Sequence, residues 1–449
     1  MSKNNIIINK FGGGLMTKDF IPLTKQRLQE QIKAGQNPVV VVSALPGVTD
    51  RLVLFSEESK KDSRTSFSVD KFIQDLAKIH YQLMVDLAMN ETTRQKIDAR
   101  LKKIFNEIKN DLESAARTES SDKSDDRIAA AGEKLSSVLF AAYLNDDQLK
   151  VKEFFAQDLP IITDDNFKNA GIDYEISKNN ARKRLLGLEE IPVIAGFSGQ
   201  TPEGEITTLG RGGTDTTACF LGAALNARKI ILWKDVEGVL AADPKIVPQA
   251  RTIPWISFQE AEESGKVVHE KAIQYAKFYN IPMKITSLAN PKRKTEIGEN
   301  SRIKKGARIV SFKKDLNLFI ITDEKIKMND LLTMACETFS KYKIDVILIS
   351  NARYILQIVT DKSNGLTQKA FEELKNKVSD VKVFDVNMVF LVGKFDVNDV
   401  NKFNDILIKH KTGMEISAFL YENCTRIEAI VKSNKIENIV RVLYQEFIK

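Results

Sequence analysis

Short unbroken apolar runs and longer runs with helical spacing take turns along the first two-thirds of this chain. NIIIN (5–9), PVVVVSA (38–44), IPVIAGF (191–197) and KIILWKD (229–235) have the length and composition of strands covered on both faces. Between them lie segments whose apolar residues recur at helical spacing. KDFIPLTKQRLQEQIKAG closes on Gly35, and a long charged helical stretch covers roughly residues 67–118 before the polar break TESSDKSDD. RIAAAGEKLSSVLFAAYLN then sets Leu135, Leu139 and Tyr143 on one stripe, and DTTACFLGAALNA precedes the KIILWKD strand. Alternating strands and helices predict an α/β domain with a mostly parallel sheet. Ligands in such sheets sit beyond the carboxyl ends of the strands. INKFGG, VSALPG, AGFSGQ and LWKDVEG all break at that end and are expected to converge.

Past NPKRKTEIGENSRIKKGARIV the rhythm changes. The pattern predicts strand 316–322, helix 328–341, strands 344–350 and 354–359, helix 365–377 and strand 380–384. A second series runs through NMVFLVG, DVNKFNDILIKH, MEISAFL, RIEAIVK and IENIVRVLYQEF, at a period of about 70 residues. A duplicated βαββαβ module suits binding and assembly better than catalysis. The expected division is a domain over 1–305, a module over 306–386 and a second over 387–449.

Composition narrows the function classes. With 449 residues, 43% hydrophobic and 28% charged, the chain can bury more than one core. It has no apolar run of the ~20 residues a membrane span needs, and no signal-peptide layout, so a reducing cytoplasm is expected. Cys219, Cys336 and Cys424, with His80, His269 and His410, are too few and scattered for a disulfide framework or a zinc centre. The net charge of +7 is interleaved with acids, and no nucleic-acid motif accompanies the basic patch at 291–308.

Two stretches carry candidate chemistry. In INKFGGGLM, Lys10 stands at a strand end before Gly12, Gly13 and Gly14. The pattern reads either as a tight turn or as a phosphate cradle with a cation beside backbone N–H groups. It matches neither G-x-x-x-x-G-K-[ST] nor the dinucleotide glycine spacing. In LGRGGTD, Arg211 and two glycines precede Thr214 and Asp215 at the start of an apolar-striped helix. Locally, Thr214 or Asp215 is expected as the helix N-cap. The glycines also let a ligand approach the backbone, and Arg211 offers a fork suited to a carboxylate.

Taken together with VVVVSALPGVTD, AAAGEKLSS, LWKDVEGVLAADPKIVPQAR and SFQEAEESGKVVHEKAI, these stretches closely resemble the aspartate kinases. The resemblance covers nearly the whole chain and is strongest over 6–50, 126–144 and 191–290. It implies an amino-acid kinase three-layer sandwich followed by two ferredoxin-like ACT modules. The implied reaction moves the γ-phosphoryl group of ATP, carried with Mg²⁺ held mainly by the phosphates, to the side-chain carboxylate of L-aspartate. That is the first step of the aspartate pathway to lysine, threonine and methionine. By the same resemblance Lys10 is the phosphoryl-site cation, held by Asp215. Gly12 and Gly13 donate N–H groups to the phosphates, with Phe11 and Gly14 beside them. Ser43, Thr49, Glu133 and Arg211 take aspartate, with Glu133 and Arg211 answering its ammonium and α-carboxylate. Lys234, Asp235, Lys245 and Lys266 lie on the nucleotide side, and His269 is a packing or supporting residue. A homodimer or higher homo-oligomer joined through the ACT modules is implied, with no nucleic-acid or membrane partner.

The departures are also specific. Gly14-Leu15 replaces the family's Thr-Ser, Lys234 replaces a threonine, Leu240 a tyrosine, and Lys245 an arginine. In the first ACT module Asp330 stands where a glycine is usual and Ile347 where an aspartate is usual, which predicts insensitivity to lysine or a different effector. Two alternatives stay open at this level: a catalytically weak regulatory homologue, and a kinase of this fold acting on another carboxylate.

Overall fold

The computed structural model describes residues 5–59, 66–117, 122–145, 149–265, 268–299, 305–362, 365–410, 425–432 and 435–448. They form two compact units: one of residues 1–239 with 252–301, the other of 240–251 with 302–449.

The first unit begins with β1 (Ile6–Phe11), α1 (Ile21–Lys33), β2 (Asn37–Val42) and α2 (Val48–Ser59). Three long helices follow, α3 (Ser66–Asp86), α4 (Glu91–Arg117) and α5 (Asp122–Asn145), and then β3 (Val151–Phe154) and α6 (Tyr174–Leu185). Next come β4 (Ile191–Ala195), the hairpin β5 (Ser198–Gln200) and β6 (Ile206–Thr208), α7 (Gly213–Ala224) and β7 (Lys229–Lys234). The unit ends with β8 (Trp255–Ser257), α8 (Phe258–Ser264), α9 (Glu270–Phe278), β9 (Met283–Ser287) and β10 (Lys294–Gly298).

Eight of these strands make one sheet in the order β3-β4-β2-β1-β7-β9-β10-β8, parallel except for the β9–β10 pair. Registers Phe11↔Val42, Val42↔Ala195 and Phe11↔Trp233 bring four carboxyl ends level, so the four predicted breaks do share one rim. β1 and all but the first residue of β2 are buried, as two-sided cover requires.

The predicted 67–118 helix is two helices. The apolar spacing runs on through the break, but Ala88 takes φ 49° and Asn90 caps α4 by accepting from the Thr93 amide at 2.8 Å. α5 takes in most of the predicted polar break, and its Asp122 and Asp125 fall in the first turn, where the helix dipole favours acids. The helix beyond is Ala-rich and almost wholly buried, which lets it lie close against the sheet.

In the second unit, β11 (Gly306–Thr322), α10 (Met328–Lys341), β12 (Val346–Ala352), β13 (Ile355–Asp361) and α11 (Leu366–Lys375) precede β14 (Asp380–Lys394), α12 (Val397–Lys409), β15 (Arg426–Lys432) and α13 (Ile436–Phe447). The strands form one antiparallel sheet, β12-β13-β11-β14-β15. β11 and β14 are each long enough to serve both repeats. Leu316–Thr322 pairs with Val386–Asp380, and Gly306–Lys313 pairs with Lys394–Met388, across a bulge at which Asp315 has φ 58°. The predicted MEISAFL segment lies outside the described residues.

Residues 240–251, which the sequence places inside the first domain, group with this second unit. Ile246 and Val247 are buried, the Val310 amide donates to the Ala241 carbonyl at 2.8 Å, and Arg441 Nε donates to the Ile246 carbonyl at 3.1 Å.

Candidate active site

Lys10 is the fifth residue of β1, paired with Leu232 on β7. Its ammonium lies 2.7 Å from Oδ1 of Asp215, in the first turn of α7. Lys234, the last residue of β7, reaches Oδ2 of the same carboxylate at 2.9 Å. Lys10 and Asp215 are only 7% and 5% exposed, so this charge group is nearly withdrawn from water. Burial pushes the Asp215 carboxyl up, but the flanking Lys10 and Lys234 ammonium groups outweigh it and hold the group down at about 2. Asp215 is therefore an anion at neutral pH.

The glycines explain why this fits. A Cβ on Gly13 would sit 3.0 Å from the Ala44 carbonyl oxygen, tighter than ordinary contact, whereas one on Gly12 would meet Lys10 Nζ at an ordinary 3.5 Å. The Gly12 amide donates to the Trp233 carbonyl at 3.3 Å. Its carbonyl accepts from Leu15 as the chain enters a short 3₁₀ turn over Gly13–Leu15. Phe11 contributes core rather than lining: its buried ring lies between Phe140 and Trp233, with centroids at 5.9 and 6.1 Å.

The α7 start also differs from expectation. Its N-cap is Gly212, in the left-handed region at φ 74°, with no side-chain cap, and Thr214 and Asp215 lie inside the first turn. The helix starts early because Gly212 and Gly213 accept close packing. A Cβ would meet His269 Cβ at 2.5 Å from Gly212, and the Phe197 ring at 2.7 Å from Gly213. His269 is thus a packing residue against this turn. Arg211 is exposed beside it, close enough to help lower the His269 pKa after burial and Lys271.

A second buried carboxylate faces the same rim. Glu133 on α5 is 4% exposed, and its Oε2 has no hydrogen-bond partner among the described residues. Burial raises its pKa to about 8, against the opposing pull of the Ala44 amide, its own amide and Lys10. Gly132 lets α5 close on the strand-end loop, since a Cβ there would touch Ala44 Cβ at 3.0 Å and Thr49 Oγ1 at 3.5 Å. Ser136 Oγ donates to the Ser43 carbonyl at 2.7 Å, and the Ser43 amide donates to the Phe11 carbonyl at 3.2 Å. Ser43, Thr49 and Glu133 thereby gather where α5 closes on the loop after β2, and Glu133 feels the charge of Lys10.

Asp235 is exposed, its Oδ2 3.8 Å from where a Cβ on Gly14 would stand. Lys245 belongs to the second unit and Lys266 lies outside the described residues. Asp330 is exposed in the first turn of α10. Ile347 is the extra residue of a β-bulge on the edge strand β12. Sequence reasoning missed the grip of Lys234 on Asp215. It also missed Asp126, a buried carboxylate on α5 that accepts from the amides of Lys168 and Thr208 and from the Thr208 hydroxyl, at 2.6–3.1 Å. A cavity of about 830 Å³ beside α9, lined by Tyr174, Thr216, Tyr275 and Tyr279, contains none of the expected site residues.

The amino acid kinase family model matches residues 5–287. Aspartokinase 3, chloroplastic, of Arabidopsis thaliana is 27% identical over 439 residues, spanning 92% of this chain and 77% of that protein. The aspartokinase of Rickettsia bellii is 30% identical over 334 residues, 72% of this chain and 68% of that protein. Among solved structures, E. coli aspartokinase III in complex with aspartate and ADP superposes with a TM-score of 0.84 at 23% identity, covering 99% of this chain and 100% of that one.

Proposed function

The chain belongs to the amino acid kinase family and, within it, to the aspartokinases, and on that premise we propose that it phosphorylates the side-chain carboxylate of L-aspartate from ATP, giving 4-phospho-L-aspartate. The observation that carries the site assignment is the buried Lys10–Asp215 pair at 2.7 Å on the strand-end rim, with the buried carboxylate of Glu133, whose Oε2 has no hydrogen-bond partner among the described residues, on the same rim.

In this reading an oxygen of the substrate carboxylate attacks the γ-phosphorus, and the bond to the β,γ-bridging oxygen breaks to release ADP. The attacking carboxylate is already ionised, so no base is needed. What the protein must supply is alignment and neutralisation of charge on the moving phosphoryl group. Lys10 is the cation for that group. Asp215, ionised down to about pH 2, holds Lys10 rather than exchanging protons. Glu133 receives the substrate ammonium and Arg211 its α-carboxylate, with Ser43 and Thr49 as hydroxyl partners. Asp235 and Lys266 serve the nucleotide side, and Mg²⁺ would be held mainly by the phosphates. The amides of the Gly12–Gly14 turn serve as donors to the phosphates.

The 306–449 segment is assigned the ACT-type regulatory and assembly role, joining subunits of a homo-oligomer in the cytoplasm. Its effector site lacks the usual glycine and carboxylate because Asp330 and Ile347 replace them, so lysine is expected to leave activity unchanged. Strong lysine inhibition in a coupled assay would overturn that assignment. Turnover with ATP across a panel of acidic amino acids tests the substrate. Lys10→Ala should nearly abolish turnover on aspartate while circular dichroism stays that of the parent, and near-normal activity in that variant would refute the mechanism.

A further inference from the structure

Lys10 and Lys234 reach one carboxylate for a reason written in the sheet. Lys10 pairs with Leu232 in the parallel β1–β7 ladder, and Lys234 lies two residues beyond Leu232. Side chains two apart on a strand share a face. The two ammonium groups therefore project from the same side of adjacent strands. α7 lays Asp215 between them, Oδ1 on Lys10 at 2.7 Å and Oδ2 on Lys234 at 2.9 Å. The trio carries a net positive charge. Lys10 is the deeper cation, its side chain 9% exposed against 19% for Lys234.

A carboxylate has two equivalent oxygens and an ammonium has three donors. With Lys10 as its only partner, Asp215 could close both oxygens on that ammonium and draw it out of line. With Lys234 holding Oδ2, only Oδ1 is left to face Lys10. We propose that Lys234 is a positioning residue for phosphoryl transfer, acting through Asp215 to aim Lys10 at the transferred group. This goes beyond a nucleotide contact by Lys234, and it rests on the phosphotransfer reading above. It also gives a physical role to a lysine at a position where the resemblance leads one to expect threonine.

The test is a set of full-length variants, K234M, K234R, D215N and D215N/K234M, assayed for turnover of ATP with aspartate and for melting temperature. K234M should lower kcat by about 10- to 100-fold, the scale of a misaligned reactive group, while the KM values for ATP and aspartate stay within about twofold of the parent. K234R, which keeps a cation on Oδ2, should recover most of that loss. The melting temperature reports the contact itself. K234M should lower it more when Asp215 is present than in the D215N background, where the lysine has lost that carboxylate.

An active parent whose K234M variant keeps its kcat overturns the proposal alone. So does a loss confined to the KM for ATP, which would make Lys234 a direct nucleotide ligand, or a K234M destabilisation of equal size in both backgrounds. A parent that turns over no acidic amino acid rejects the phosphotransfer reading and this proposal with it.

Discussion

Glu133 and Asp215 are two buried carboxylates on one rim whose surroundings drive them to opposite ends of the carboxyl range. Burial penalises both charges. Asp215 has two ammonium partners and stays ionised to about pH 2, whereas Glu133 feels Lys10 only weakly and titrates at about 8. At pH 7 the ligand-free Glu133 thus holds a proton, and it must release it when a substrate ammonium arrives. Calorimetry in buffers of different ionisation enthalpy should find close to one proton released per aspartate bound at pH 7, and almost none above pH 9. Glu133→Gln should release none and bind aspartate about 10- to 150-fold more weakly, the range of a lost charge-assisted hydrogen bond. The sign for stability follows from linkage. A folded-state pKa raised to about 8 from 4.5 means that the stability the proton contributes is fully present below pH 4.5, falls as the unfolded chain ionises, and is gone once pH rises through 8. The melting temperature of E133Q should therefore gain on that of the parent between pH 5 and 9. Glu133 was legible only through its motif, since a lone glutamate on a helix ordinarily reads as a solvated charge. The Lys234 contact was illegible because it depends on the register between two strands far apart in sequence.

Among the elements, α7 is seated by glycines rather than by a cap. Gly196, at the end of β4, would place a Cβ 2.6 Å from Thr214 Cγ2 and 3.0 Å from Val41 Cγ1, so the helix start, β2 and β4 meet at contact distance. Gly212 combines φ 74° with a Cβ position 2.5 Å from His269 Cβ. Gly212→Ala should cost about 1–3 kcal/mol, read as a lowered melting temperature. It should also lower kcat/KM for aspartate, because Arg211 and Asp215 flank the displaced turn. A variant with parent-like stability and kinetics would contradict this seating. The expectation of Thr214 or Asp215 as N-cap failed for the same reason: residue type favours a side-chain cap, while steric fit to His269 and Phe197 sets the start two to three residues earlier. The strands β1, β2, β4 and β7 were plain in the sequence because two-sided burial makes each a continuous apolar run. β8 and β10, short and of mixed polarity, offered no such signal. In the second unit, helices 328–341 and 436–447 and strand 426–432 follow the sequence pattern to the residue. The double length of β11 and β14 was hidden because pairing, not composition, decides where a strand stops.

For the whole molecule, the segment 240–251 decides what can be separated from what. It follows Lys234 and Asp235 within a few residues, yet its partners lie in β11 and α13. A chain ending at residue 301 would leave Ile246 and Val247 without the strand and helix that hold this segment. Such a truncation should melt below the full-length protein, bind an apolar dye and lose most turnover; an unchanged melting temperature would show that the segment needs no such support. The same arrangement sets an order during synthesis. Arg441 and Tyr444 each meet carbonyls 195 residues earlier in the chain, at Ile246 and Gln249. At about 5–20 residues per second, the ribosome delivers these partners roughly 10–40 s after the segment they bind. For that interval every nascent chain carries an unsecured apolar loop directly behind the strand that bears Lys234. Stalled chains of 350 residues should be held by an apolar-binding chaperone at 240–251, and completed chains should let it go.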